Sequence, residues 1–471
     1  MKVIRRMLLL MLVAALVSAH VRAVAPGQSA HQTARVTVFQ NVNVIPMDRE
    51  RVLENQSVVV RDGRIAEIGD ARKVKVPSGA QLIDGRGKYL MPGIAEMHGH
   101  LPHPNQGETF AKNVLLLFLA NGVTTVRGMY GFPQHTALRD RVARGELLGP
   151  TLFLASPALG GQNVKSAEQA RQLVKQYKAA GFDLLKVHEG LTVEVYDAIV
   201  DAARQEKIQL GGHISNDVGL ERALRAKQIS VEHLDGYLEA LEADNSPIRN
   251  ADQQTRAAEL PNYLDERKIP SLVAATREAG VWNVPTMALW QTFFSTESTE
   301  TFRQRPELKY IPAQMIEQWS QQRTNQLQQN MNPETLKKIL VMRDKVLKAL
   351  SDGNAKILLG SDAPQLFSVP GFSLQREMQA MIKAGLSPYQ VLESGTRNVG
   401  LYLNAAAELG TVQVGRRADL ILLEANPLKD ITNMEKKAGV MVRGRWMPAD
   451  ELKRMLEEVA NSVKPQQPAK P

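Results

Sequence analysis

The chain of 471 residues contains no cysteine. That absence excludes disulfides, thiolate-bound zinc and a cysteine nucleophile, so any metal must be held by histidine, carboxylate or a modified side chain. Aromatic residues make up only 5% of the chain, with no basic stripe threaded through them, so nucleic acid is not an expected partner. The apolar run Met7–Val17 falls short of the about 20 residues that span a bilayer. It follows Lys2, Arg5 and Arg6 and precedes Val21-Arg22-Ala23, with Ala23-Val24-Ala25 as a rival cleavage site. This is the layout of a secretory signal peptide, and residues 1–25 are read as one. The mature protein is therefore expected to be exported, periplasmic or secreted, and to keep no stable membrane anchor. The net charge of +9 includes Lys2, Arg5, Arg6 and Arg22, so removing the leader leaves +5, modest for this size.

Residues 35–91 read as short strands. Val36–Phe39 and Ser57–Val60 are β-branched runs, and Asp62-Gly63 between Val60 and Ile65 is a hairpin signal. From Gly93 the rhythm changes to apolar strands alternating with amphipathic helices. The expected strands are Gly93–His100, Val123–Met129, Thr151–Ala158, Asp183–Glu189, Gln209–Ser215, Ile229–Leu234, Trp282–Leu289 and Ile357–Asp362, with helices such as Ser166–Ala180, Thr192–Gln205 and Val218–Ala226. Eight strand–helix units in a row predict an α/β fold, a closed (β/α)8 TIM barrel. Strand character returns at Gly410–Leu423 and Gly439–Arg445. The expectation is thus a barrel over 92–404 inserted into a small split β-sandwich domain made of 26–91 and 405–450. Residues 451–471 are assigned to a C-terminal helix and a disordered tail, the helix pattern beginning near 449. Two connections are long, Tyr237–Gly280 and Trp290–Lys356; they either shape the substrate pocket or pack outside, and homo-oligomerisation is left open.

His98-Gly99-His100 follows an apolar strand, and residues i and i+2 on a strand share a face, so two imidazoles can hold one ion. His213, His233 and Asp362 each end a strand. Barrel enzymes place their chemistry at the C-terminal ends of strands. One such histidine would be read as structural; five ionisable groups at strand ends point to a metal site. Lys186 sits inside the apolar strand Leu184-Leu-Lys-Val187. A lysine is costly to bury as a cation. Addition of CO2 to the neutral amine would turn it into a bidentate carbamate suited to bridging two ions.

These motifs resemble the amidohydrolase superfamily. Leu90–His100 is similar to its first-strand motif, Thr396-Arg-Asn398 to the stretch after the barrel, and Gly410–Leu420 with Asn426-Pro-Leu428 to the closing β segment. Within the superfamily, Thr124–Arg127, Lys186, Gly212-His213 and Glu232-His233-Leu234 resemble the imidazolonepropionase-like and Xaa-Pro dipeptidase groups. The resemblance implies two divalent metal ions, zinc suiting the donors best. His98, His100 and Asp362 would hold the more buried ion and His213 and His233 the more exposed one, with N6-carboxylated Lys186 between them. A water activated on the two cations would attack an amide carbonyl, Asp362 carrying its proton to the leaving nitrogen. Tyr237 is a candidate hydrogen-bond donor to the oxyanion and His188 a candidate substrate contact. Tyr130 and Arg127 could meet a substrate carboxylate, Glu96 could support the site from below, and Gly160-Gly161 reads as a flexible pocket loop. The expected reaction is hydrolysis of a C–N amide bond in dipeptides, Xaa-Pro-like, or in N-acyl amino acids. A cyclic amide, ester or lactone is the alternative, and a non-catalytic metal-binding protein the least favoured.

Overall fold

The computed structural model describes residues 36–328 and 332–464. The leader read over 1–25 and the tail beyond 464 lie outside the described residues. Among those residues, no helix is long and apolar enough to cross a membrane.

The chain opens with β1 (Val36–Val44), β2 (Leu53–Arg61), β3 (Arg64–Asp70), β4 (Gln81–Asp84) and β5 (Tyr89–Pro92). Asp62 and Gly63 join β2 to β3 with φ of 50° and 77°, the backbone that a two-residue hairpin turn requires. Eight strands follow: β6 (Ile94–Gly99), β7 (Val123–Gly128), β8 (Thr151–Leu154), β9 (Leu184–Val187), β10 (Gln209–Gly212), β11 (Ser230–Glu232), β12 (Trp282–Val284) and β13 (Lys356–Ile357). The chain then returns through β14 (Leu420–Leu423), β15 (Lys437–Val442) and β16 (Arg445–Pro448) to a helix, Ala449–Ser462.

β6 to β13 all pair in parallel, in the orders β6-β7-β8 and β9-β10-β11-β12-β13. Helices connect them and cover their outer faces, so β6, β7, β9 and β11 are buried at every position. The helices Ala167–Ala179 and Val193–Gln205 begin at Ser166 and Thr192, whose side chains accept from the backbone three residues on. Between β8 and β9, the isolated parallel bridges Ala155–Leu184 and Leu159–Val187 span the gap. At the other end, Met97 N donates to Leu359 O at 2.9 Å and Asp362 N to His98 O at 2.7 Å.

The outer strands form a single eight-stranded sheet, ordered β16-β15-β14-β5-β1-β2-β3 with β4 beside β1. It therefore draws on both ends of the described chain. Within Gly410–Leu423 the regular strand is Leu420–Leu423, and an isolated antiparallel bridge joins Arg417 to Arg64. Gly410 and Gly415 turn the preceding stretch out of extended geometry with φ near 90°.

Candidate metal centre

The strand ends converge. His98 is the penultimate residue of β6, Lys186 lies within β9, and His213 and His233 stand one residue past β10 and β11. Asp362 lies five residues beyond β13, since regular pairing stops at Ile357 and the backbone runs on against β6. Gly360 permits that approach: a Cβ there would lie 2.7 Å from the His98 backbone nitrogen. His233, Thr286 and Asp362 hold φ of 61°, 46° and 63°. Such backbone costs about 1–3 kcal/mol per residue and gathers where a site demands a particular side-chain direction.

The imidazoles are anchored from behind. His98 Nδ1 meets Glu232 Oε2 at 2.7 Å, His213 Nδ1 meets Asp235 Oδ2 at 2.7 Å, and His233 Nδ1 meets Thr286 Oγ1 at 2.8 Å. Each Nε2 is left facing the centre, the arrangement that orients histidine ligands. Burial, then the charge of Lys186, holds His98 well below the ordinary imidazole range. The same two causes bring His213 down to about 3. His233 is also held low, by burial and then His98. Neutral imidazoles keep the lone pair that a metal takes.

Asp362 stands between the groups. Its Oδ1 lies 2.8 Å from His100 Nε2 and 3.6 Å from His98 Nε2, and its Oδ2 lies 3.7 Å from His233 Nε2. His98, His100 and Asp362 each offer one ligand atom within 4.8 Å of the others. His100 Nε2 and Asp362 Oδ1 are buried without a hydrogen-bond partner. Two buried atoms 2.8 Å apart that form no hydrogen bond, with the nitrogen of His98 near them, fit a divalent cation. The His213 and His233 rings stack beside them, centroids 4.6 Å apart. Lys186 is 1% exposed, and its Nζ lies 3.5 Å from His98 Nε2. Burial lowers its pKa against the pull of Glu232 and Asp362. Among the described residues it forms no ion pair within 4.0 Å.

The structure brings all six expected ligands together and redistributes the secondary candidates. Tyr237 is turned away: it is 1% exposed, and its hydroxyl donates to Asn283 Oδ1 at 2.8 Å and pairs with Thr276 Oγ1 at 2.9 Å. A hydroxyl committed to that buried network is not available to an oxyanion. Arg127 does not face a substrate carboxylate either. It is fully buried and gives its guanidinium to both oxygens of Glu232, to Tyr402 and to Ser230. His188 does sit at the centre, its ring centroid 4.4 Å from that of His213, and burial pulls its pKa to about 4. Tyr130 stacks outside His100 at 6.0 Å and is 39% exposed. Glu96 accepts from His98 N at 3.0 Å, Ser361 N at 2.8 Å and Ser361 Oγ, tying β6 to the segment that carries Asp362. Gly161 N donates to Glu189 O at 2.9 Å, which fastens the glycine turn to the loop after His188.

Four supporting residues escaped sequence reasoning. Asp235 and Thr286 buttress His213 and His233. Trp290 Nε1 donates to the His233 carbonyl at 3.1 Å, and Arg343, its guanidinium 4.0 Å over the Trp290 ring, donates to the same oxygen. The only sequence signal was the pair of acids, Glu232 and Asp235, flanking a strand-end histidine. The second long connection thus reaches the centre itself.

The amidohydrolase family profile matches residues 89–447. The chain belongs to the amidohydrolase family. Amidohydrolases are hydrolases that generally bind divalent metals, and this member carries the His-His-Asp cluster for one. Ochratoxinase of Aspergillus niger is 22% identical over 478 aligned positions, 86% of this chain and 85% of that protein. Among solved structures, a Xaa-Pro dipeptidase with bound methionine superposes with a TM-score of 0.64 at 18% identity, over 88% of this chain and all of that one. Bottromycin amidohydrolase gives a TM-score of 0.69 at 21% identity, over 91% of each chain. At these identities the structural likeness establishes the α/β fold alone.

Proposed function

We infer that this amidohydrolase is an exported, binuclear hydrolase that cleaves a C–N amide bond in dipeptides, Xaa-Pro-like, or in N-acyl amino acids. The observation that carries the reading is the position of Asp362, with one oxygen turned to His98 and His100 and the other to His233. His98, His100 and Asp362 would hold one ion and His213 and His233 the other, zinc suiting nitrogen and carboxylate best. Lys186, buried and without an ion pair among the described residues, would add its amine lone pair to the carbon of CO2, lose a proton and stand between the two as a carbamate. The divalent cations, when bound, supply Lewis acidity that polarises the carbonyl and acidifies water. Asp362 then takes the proton of the attacking water and delivers it to the leaving nitrogen. Neutral His188 offers a hydrogen bond to substrate, and Tyr130 lines the approach beside His100.

The backbone hydrogen bonds at both seams support one (β/α)8 barrel over 92–404; the segments read as 26–91 and 405–450 would supply the split β-sandwich domain. Removal of residues 1–25 would release the enzyme to the periplasm or medium. N-terminal sequencing of the exported protein tests that cleavage.

The decisive activity test is a panel of Xaa-Pro dipeptides, N-acyl amino acids and lactones with metal-loaded enzyme. Turnover of the first two groups supports the reading, and turnover of lactones or cyclic amides alone replaces it. Metal analysis should give two ions per chain, and Lys186→Ala should hold fewer. A Lys186→Ala chain with both ions and full activity removes the carbamate.

A further inference from the structure

A cavity of about 420 Å³ opens beside the helix Met287–Phe293, and no expected metal ligand lines it. Its lining includes Arg305, Arg376, Lys383, Thr292, Gln291 and Gln379, with Glu297 the one acid. Arg305 spends one Nη on the Phe367 carbonyl at 3.1 Å and the other on Thr292 Oγ1 at 3.2 Å, and its guanidinium lies over the Phe302 ring at 4.7 Å. Among the described residues no carboxylate comes within 4.0 Å of it. Arg376 directs Nε and Nη2 at a single oxygen, Glu307 Oε1, and leaves Nη1 uncommitted. Lys383 adds an exposed ammonium at the edge.

A guanidinium removed from water without a counter-charge is costly, and a second cation nearby raises the cost. Here burial, and after it the charge of Arg376, outweighs the pull of Glu307 and Glu297 and brings Arg305 down to about 10. An oxyanion between the two arginines would relieve both effects. It would take the uncommitted Nη1 of Arg376 and the remaining hydrogens of the Arg305 guanidinium, charge-assisted donors of the kind that bind carboxylate and phosphate. The Gln291 amide and the Thr292 hydroxyl supply neutral donors around it.

We propose that this cavity is a second ligand site, separate from the metal centre, that binds the carboxylate or phosphate group of a small molecule through Arg305 and Arg376.

Calorimetric titration of metal-loaded protein with inorganic phosphate, and separately with citrate, tests the site and distinguishes the two anion chemistries. Saturable binding of either is expected at one per chain, weakened about tenfold or more by Arg305→Gln and by Arg376→Gln. Binding should survive removal of the metals by chelation, which separates this cavity from the catalytic centre. Should the arginine variants fail to fold, Lys383→Glu carries the test. It places a carboxylate at the exposed edge and is expected to abolish binding while circular dichroism stays unchanged. No saturable binding of either anion, binding that these variants retain, or binding that disappears with the metals overturns the proposal.

Discussion

His98 donates its Nδ1 proton to Glu232 across 2.7 Å, and neither side chain meets solvent. Glu232 in turn receives Arg127 through two hydrogen bonds of 2.8 and 2.9 Å. The metal-facing nitrogen of His98 is therefore aimed by a buried ion pair lying behind it.

Replacing Glu232 by Gln keeps the shape and removes the charge. Arg127 is then left uncompensated at 0% exposure. Loss of one partner of such a pair costs about 3–5 kcal/mol, and loss of a ligand's anchor weakens metal binding about 10–100-fold. Denaturant unfolding and metal competition with a chelator measure the two. An unchanged metal affinity would show that Glu232 serves only the fold.

Asp362→Asn keeps a ligating oxygen but loses the proton carrier. The turnover number should fall by about 10²–10⁴-fold, the worth of a positioned proton transfer. Metal content should fall less steeply than rate. If the two decline together, Asp362 acts chiefly as a ligand.

Trp290 and Arg343 both donate to the carbonyl of His233, a residue held at φ of 61°. Trp290→Phe and Arg343→Met each remove one donor, and the double variant leaves the carbonyl bare. A buried acceptor without a partner costs about 1–3 kcal/mol. The double variant should therefore lose more stability and more metal than the two single variants combined. Simple additivity in chelator competition would mean that the two donors act independently.

Glu377, which is not among the expected ligands, gives a pH dependence of its own. Its oxygens accept from Met287 N at 2.8 Å and Ala288 N at 2.7 Å, which favours the carboxylate. Burial opposes it more strongly and pushes the carboxyl up to about 8 from 4.5. An acid with a raised folded value holds its proton more tightly when folded. Its contribution is full below about pH 4.5 and is lost as pH rises through about 8. Glu377→Gln should flatten that part of the stability profile and gain most relative to the parent above pH 8. Parallel profiles for the two proteins count against it.

The strand–helix alternation and the strand-end positions of His98, His213 and His233 were legible because they are local. A run of apolar residues closing on a histidine carries its own meaning in a parallel α/β fold. The second connection was legible as long, but its reach to His233 was not. Arg343 lies 110 residues from the carbonyl it binds.

The residues alone settle the chemistry available: no cysteine, five ionisable groups at strand ends and one lysine in an apolar strand. What only the tertiary structure decided is how those groups are aimed. Glu232 precedes His233 yet anchors His98, 134 residues away, while His233 is held by Thr286. Tyr237 follows His233 by four residues and faces Asn283 instead of the centre. The reason is geometric. Strand alternation predicts side-chain direction only while the backbone stays extended. At His233 and Leu234 it does not: φ turns to 61° and 54°, and from there direction is set by packing.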